Sequence, residues 1–247
     1  MKRRDFILTT GTGSAIIASG NLFALPEDQL TYARILGMLG NAAGGEVLQE
    51  AVENASDWDT GWNYTGMGQF GKSISYLDGL IIALGRTKRA EAIPVLENMS
   101  KRLTTASEFS HFRAVAMALE TIGDNRGALI LYDLLQLPGV TGHSMPDIQT
   151  AKRLTPAGDT DTSTRNNSLR ELILARALFR CGDVNGLGKE ILTNYSKDLR
   201  GHYYRHASGV LKMYTKLPEP KTDVKENKTE VNPDFPEIKT PEIPLRP

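Results

Sequence analysis

The chain has 247 residues, with 29 basic and 29 acidic side chains, and 40% of the residues are hydrophobic. This balance excludes the strongly basic surface that nucleic-acid binding requires. A single cysteine excludes an intramolecular disulfide and a cysteine-cluster metal site. No apolar run approaches the roughly 20 residues of a membrane-spanning helix. We therefore expect one domain of ordinary size with appendages, no nucleic-acid partner and no membrane span.

Residues 1–24 have the layout of a cleavable export signal. Lys2, Arg3 and Arg4 precede a modestly hydrophobic, glycine-containing stretch, and Ala24 supplies a small residue for cleavage. The arginine pair, with Phe6 two places on, resembles a twin-arginine signal. That resemblance implies that the protein folds in the cytoplasm and is exported folded to the periplasm. A general secretory signal and an ordinary amphipathic N-terminus are the alternatives.

Residues 25–217 contain one local pattern four times, an apolar or cysteine residue followed by glycine and then by Asn, Arg or Asp. Take the residue just before each glycine as a reference: apolar residues also stand three and seven places before it. These three positions lie on one face of a helix. A second apolar stripe follows each glycine. The four copies are Leu39-Gly40-Asn41, Leu84-Gly85-Arg86, Ile122-Gly123-Asp124 and Cys181-Gly182-Asp183.

Glycine that ends one helix in a left-handed cap, with Asn or Asp starting the next, predicts a helical hairpin. Four hairpins that each expose an apolar face should stack into an all-α solenoid with one continuous core. A bundle without repeats is the alternative. The segments 113–135 and 169–183 resemble HEAT-like repeats of the phycobilisome-lyase type, over roughly residues 30–215. This resemblance implies the fold and no particular activity.

The spacing of the glycines leaves two long insertions, which we expect to be loops. The first runs from about Ser56 to Lys72 and holds Trp58, Trp62 and Tyr64. The second runs from about Pro138 to Asn167 and holds His143 with several aspartates. Loops of this length in a compact domain are usually functional or disordered.

The C-terminal residues 218–247 contain seven of the 12 prolines and 12 charged side chains. Such a segment buries too little apolar surface to order itself, so we expect a disordered tail. It serves either as a solvated terminus or as a strap that lies along a partner.

The geometry of stacked hairpins indicates which edge of the solenoid carries the candidate site. The glycine turns lie on one edge of a solenoid, and the links between hairpins, including both insertions, lie on the opposite edge. All four histidines stand in or beside these links. Helices starting near Ser110 and Gly201 would add free N–H groups that favour anions. The candidate binding residues are Trp58, Trp62, Tyr64, His111, Arg113, His143, Arg200, His202, Tyr203, Arg205 and His206.

Other chemistry is weakly indicated. His202 and His206 have a spacing that can grip a metal, but zinc needs three or four ligands, and Arg200 and Arg205 would repel a cation. We therefore predict no metal. Cys181 falls on the repeat's apolar position, so we expect a core residue and not a nucleophile. No catalytic residue is indicated.

These patterns favour an exported scaffold that binds a protein partner or ligand along the edge formed by the links, without catalysis of its own. The segments 61–71, 109–114, 138–143, 171–183 and 198–207 also resemble the C-terminal helical-repeat region of some bacterial FAD-dependent oxidoreductases. This resemblance implies an alternative, an accessory subunit that contributes His or Arg residues to a shared active site. The sequence has no Rossmann-type segment, so the partner would hold the FAD and this chain would carry no cofactor.

Overall fold

The computed structural model describes residues 26–64, 75–155 and 163–214. The predicted signal (1–24) and tail (218–247) lie outside the described residues. So do residues 65–74 of the first insertion and 156–162 of the second.

The described chain is all-helical, which confirms the predicted fold class. No strand occurs among the described residues. The helices are α1 (Pro26–Met38), α2 (Gly45–Glu53), α3 (Tyr76–Arg86), α4 (Ile93–Ser100), α5 (Phe109–Ile122), α6 (Arg126–Leu135), α7 (Ile148–Leu154), α8 (Ser163–Cys181), α9 (Leu187–Tyr195) and α10 (Gly201–Tyr214).

Four helical hairpins form the array, α1 with α2, α3 with α4, α5 with α6, and α8 with α9. The first helices stack in chain order, with α1 on α3, α3 on α5 and α5 on α8. The second helices α2, α4 and α6 form a layer beside them. One apolar core runs between the layers, and its fully buried side chains include Leu48, Leu84, Phe112, Leu131 and Leu178. The arrangement is an α-solenoid.

Glycine turns shape two of the hairpins as the sequence predicts. Gly40 and Gly123 have φ values of 79° and 72°, in the left-handed region that glycine tolerates best. The Gly123 N–H donates to the Leu119 carbonyl and so satisfies the end of α5. The Asn41 side chain accepts a hydrogen bond from the Ala43 N–H and starts the short turn before α2.

The prediction that Gly85 ends its helix is wrong. Gly85 lies inside α3 and is buried against α5, where an added Cβ would stand 2.3 Å from the Ala118 Cα. The residue with left-handed φ at this turn is Lys88. The repeated glycine therefore serves a close helix contact here and a turn elsewhere.

The first helix departs from the predicted apolar face. Tyr32 and Leu39, at positions expected to be buried, are 58% and 78% exposed. The reason is position, because α1 is the first described helix and packs on one side only, against α2 and α3.

The insertions are not loops throughout. Asp147 begins α7 inside the second insertion by accepting a hydrogen bond from the Thr150 N–H. Beyond the fourth hairpin, α10 packs mainly on α9 and meets α8 only at its margin. Among the described helices, none is long and apolar enough to cross a membrane.

Candidate functional site

The links between hairpins meet at one edge, which we call the link edge. Asn166 at the start of α8 joins the first insertion, because its side chain exchanges two hydrogen bonds with the Tyr64 backbone, at 2.7 and 2.9 Å. Arg170 donates to the carbonyls of Thr105 and Ser107 in the link before α5. Arg200 donates to the His143 carbonyl in the second insertion. The described parts of four links are thus fastened to one another.

A buried charge cluster lies beneath the first insertion. The Oδ1 atom of Asp78, a fully buried residue of α3, lies 2.9 Å from the His111 Nδ1 atom and accepts from the Trp58 indole N–H at 2.9 Å. The other ring nitrogen of His111 lies 3.1 Å from the Glu108 carboxylate. Carboxylates only accept, so both contacts are hydrogen bonds when both ring nitrogens carry a proton.

Two opposing influences set the ionisation of Asp78. Burial raises the pKa of its carboxyl group, whereas the hydrogen bond and positive charge of His111 and the Trp58 N–H lower it. The net pKa is below the usual value, so Asp78 is ionised at neutral pH. The ionised Asp78 carboxylate and its hydrogen-bond partners therefore hold the first insertion on α3 and α5.

The first insertion also covers the start of α5. The Trp62 N–H donates to the Ser110 hydroxyl, the Ser110 N–H donates to the Trp62 carbonyl, and the Phe109 N–H donates to the Asn63 side chain. The expectation that this helix offers free N–H groups to an anion is therefore wrong. Gly61 lies over the His111 ring, and a Cβ there would come within 2.5 Å of the ring.

Both tryptophans pack against residues of their own chain. Trp62 is 7% exposed and meets Tyr64 and Phe109 with ring centroids 5.2 Å apart in each pair. Trp58 is half-buried and lies against His111. Both attach the insertion to its own chain. A hollow of about 570 Å³ beside Trp58 and His111 is lined mostly by polar groups, including Asp57, Glu108 and Arg102.

The second part of the edge is an open groove. Because α10 packs on α9, it leaves a space beside α8 that holds two hollows of about 260 and 480 Å³. We call both together the α8/α10 groove. The first hollow is lined by Phe109, Leu169, Leu172, Ile173, Arg176, His202, Tyr203 and His206. The second shares His202 and Tyr203 and adds Met145, Thr155, Thr164, Arg165 and Arg200.

The groove has apolar walls and a positive margin. No carboxylate lines either hollow, among the residues that the structure describes. Arg165 stacks on the Tyr64 ring at 4.1 Å, and Arg176 pairs with Glu120 at 2.8 Å. Arg205 is exposed next to the groove, on α10, and forms no ion pair with a described residue. The arrangement favours an apolar ligand that carries negative charge.

Arg200 is engaged within the chain. It forms a bidentate pair with Asp198, donates to the Ser168 hydroxyl and the His143 carbonyl, and lies 4.3 Å from the centre of the Tyr203 ring. Asp198 also accepts from the Arg200 N–H, so a carboxylate of the chain already occupies the start of α10. Arg200 positions this end of the groove and has few donors left for a ligand.

The groove histidines are uncharged at neutral pH. Burial and the charges of Arg200, Arg165 and Arg205 lower the pKa of His202. Burial and the charges of Arg176 and Arg180 lower the pKa of His206, against an opposing effect of Glu120. A lowered pKa means that the neutral imidazole predominates at pH 7. The two rings therefore add apolar and hydrogen-bonding surface, while the arginines provide the charge.

The predicted site residues thus separate into groups. His202, Tyr203 and His206 line one groove, with Arg205 at its margin. His111 is 3% exposed inside the charge cluster, and His143 contacts the Gly139 carbonyl and lines neither hollow of the groove. Arg113 is half-buried on α5 and is absent from both hollows.

Sequence reasoning missed the α8 side of the groove, namely Arg165, Leu169, Ile173 and Arg176. The spacing of Leu169, Ile173 and Arg176 along one helix was the available signal. Within the described residues, no group of three His, Cys, Asp or Glu side chains is arranged to bind a metal.

Comparison with known proteins adds one structural likeness. No family model matches the chain. No curated protein matches it either. Among solved structures, the chain is similar to the complex of CpcE and CpcF of phycocyanin lyase from Nostoc sp., with 18% sequence identity and a TM-score of 0.39. The match covers 85% of this chain and 80% of that chain. The architecture described above rests on the helix packing of this chain.

Proposed function

We propose that this protein is an exported HEAT-like scaffold that binds a protein partner or ligand along its link edge and is not catalytic by itself. The observation that carries the proposal is the α8/α10 groove, an apolar surface with arginines at its margin and no carboxylate in its described lining. Buried apolar contact and charge complementarity are the usual sources of affinity and orientation at such surfaces.

The N-terminal sequence supports the exported part of this proposal. The pair Arg3-Arg4, followed by Phe6 and a weakly apolar stretch, fits a twin-arginine signal. The expected site of action is the periplasm. Mass spectrometry of the mature N-terminus, from the native host, tests the signal independently of the groove.

A purification tests the binding function. The protein, tagged after Pro247, is purified gently from its native host, and mass spectrometry identifies what accompanies it. We expect a stoichiometric partner or ligand with acidic and apolar groups. We also expect its yield to fall when His202→Ala or Arg205→Glu is introduced, while Lys189→Glu, on exposed α9 surface away from both hollows, leaves the yield unchanged. Equal recovery in all variants would refute the groove as the site.

The same preparation separates the proposal from the oxidoreductase alternative. A flavin absorption band together with a stoichiometric flavoprotein would make this chain an accessory subunit. In that case His202→Ala and His206→Ala should lower the kcat of the partner enzyme. A colourless preparation in which the substitutions change only binding favours the scaffold.

A further inference from the structure

The C-terminal tail carries carboxylates beside apolar side chains, whereas the described lining of the α8/α10 groove carries no carboxylate. Residues 231–245 carry three carboxylates against one lysine, interspersed with Val, Phe, Ile and Leu. The tripeptide Pro-Glu-Ile occurs twice, at 236–238 and 241–243. Each copy presents one carboxylate beside one branched apolar side chain, and its proline favours an extended backbone.

The groove offers two places for such a pair. On α8, the first hollow is lined by residues between 169 and 176, and the second hollow is lined by residues 164 and 165. The midpoints of these two ranges are about eight residues apart, which is about 12 Å along the helix. Corresponding atoms of the two tripeptides are five residues apart, which is about 15 Å in a polyproline helix. The two spacings agree closely enough for one tripeptide to lie in each hollow.

The tail is also attached where it can reach the groove. Helix α10 forms one wall and ends at Tyr214, about 12 Å along its axis from His206. The connection from residue 215 to residue 235 has a root-mean-square span of about 25 Å as a flexible chain. A tether of this length gives an effective concentration in the millimolar range, so even a weak contact is populated.

We propose that residues 231–245 bind in the α8/α10 groove of the same molecule, with the two Pro-Glu-Ile segments in the two hollows. The acidic side chains then lie near Arg165 and Arg205, and the isoleucines lie on the apolar wall. The inference rests on the groove being the binding site of the proposed function. It also names the chemistry of an external partner, an extended acidic and apolar segment that must displace the tail.

Photo-crosslinking in the full chain tests this proposal. A benzophenone amino acid replaces Ile238 in one sample and Val224, outside the repeated motif, in a control. We expect the Ile238 probe to label peptides from residues 163–176 and 201–206 about fivefold more than the control probe does, with a yield that dilution leaves unchanged. Arg205→Glu should lower that labelling about fivefold, and Lys189→Glu should not change it.

Three results would overturn the inference. One is equal labelling by both probes. Another is labelling of solenoid residues outside the groove. The third is crosslinking between two molecules with a yield that falls on dilution, because this result would assign the groove to the tail of a second copy. If the tail fails but an external partner still depends on Arg205, the proposed function stands without this inference. If neither tail nor partner responds to Arg205→Glu, both fail.

Discussion

Removal of the Asp78 carboxylate should destabilise the protein strongly. In the Asp78→Ala variant, Trp58 loses its indole hydrogen bond, and the buried His111 ring keeps only Glu108 as a described partner. Leaving a buried hydrogen-bond donor without its acceptor typically costs about 1–3 kcal/mol, so the loss of both contacts should cost about 2–6 kcal/mol. For a chain of this size, that corresponds to a fall in Tm of about 4–24 °C.

Urea unfolding at pH 7, followed by circular dichroism, measures the loss. The matched control is Asp57→Ala, because Asp57 is an exposed aspartate of the insertion near the cluster, where we expect a change within about 0.5 kcal/mol. A double-mutant cycle isolates the hydrogen bond between Trp58 and Asp78. It compares the free energies of unfolding of Asp78→Ala, Trp58→Phe and the double variant, and we expect a coupling energy of about 1 kcal/mol. A loss below about 1 kcal/mol for Asp78→Ala would refute the stabilising role of the Asp78 carboxylate.

Acid should act through the same residue. The pKa of Asp78 in the folded protein is lower than its ordinary value of about 3.8. Its contribution to stability is therefore present above that value and is lost as the pH falls through the folded pKa. Asp78→Asn should reduce the slope of stability against pH in this acid range.

Three further predictions concern a glycine, a histidine and the cysteine. Gly61→Ala should lower the free energy of unfolding in urea by about 1–3 kcal/mol, because the added Cβ would meet the His111 ring. The control is Gly79→Ala in α3, where no atom lies within 4 Å of the added Cβ and the helix should be stabilised by about 0.5–1 kcal/mol. Burial and nearby arginines lower the pKa of His206 in the folded protein below 6.5. As the pH falls below 6.5, His206 therefore binds a proton more readily in the unfolded chain than in the folded protein, so the Tm should fall. His206→Gln should flatten this dependence in thermal scans, and an unchanged slope would contradict the argument. Burial raises the pKa of Cys181 to about 12, so iodoacetamide at pH 8 should label it only after denaturation, as mass spectrometry would show.

The hairpin array was predictable because apolar spacing and turn residues are local signals. Leu119 and Gly123 specify the end of α5 within five residues, and the structure follows them. Gly85 shows where local reasoning fails, since its small size serves contact with Ala118, which is 33 residues away.

The candidate site was only partly predictable. Spacing places His202 and His206 on one helix, and they line one groove. The opposite wall depends on how α10 packs, which no local pattern specifies. The sequence shows that the first insertion is aromatic, but it does not show that Trp62 faces the core. Burial of Trp62 depends on contacts of the insertion with residues more than 40 positions away. Asp78 within the apolar run of α3 was an available signal that a buried charge needs a partner.

The bonds between Tyr64 and Asn166 have a consequence for how the array comes apart. In an ordinary solenoid each repeat touches only its neighbours, so end repeats can unfold separately. Here the backbone of the link after the first hairpin is joined to the fourth hairpin, 102 residues away. Opening a hairpin between them strains that joint, which couples the intervening repeats. The array from α3 to α9 should therefore unfold in one cooperative transition, whereas α1 and α2 lie outside the joint and can open earlier.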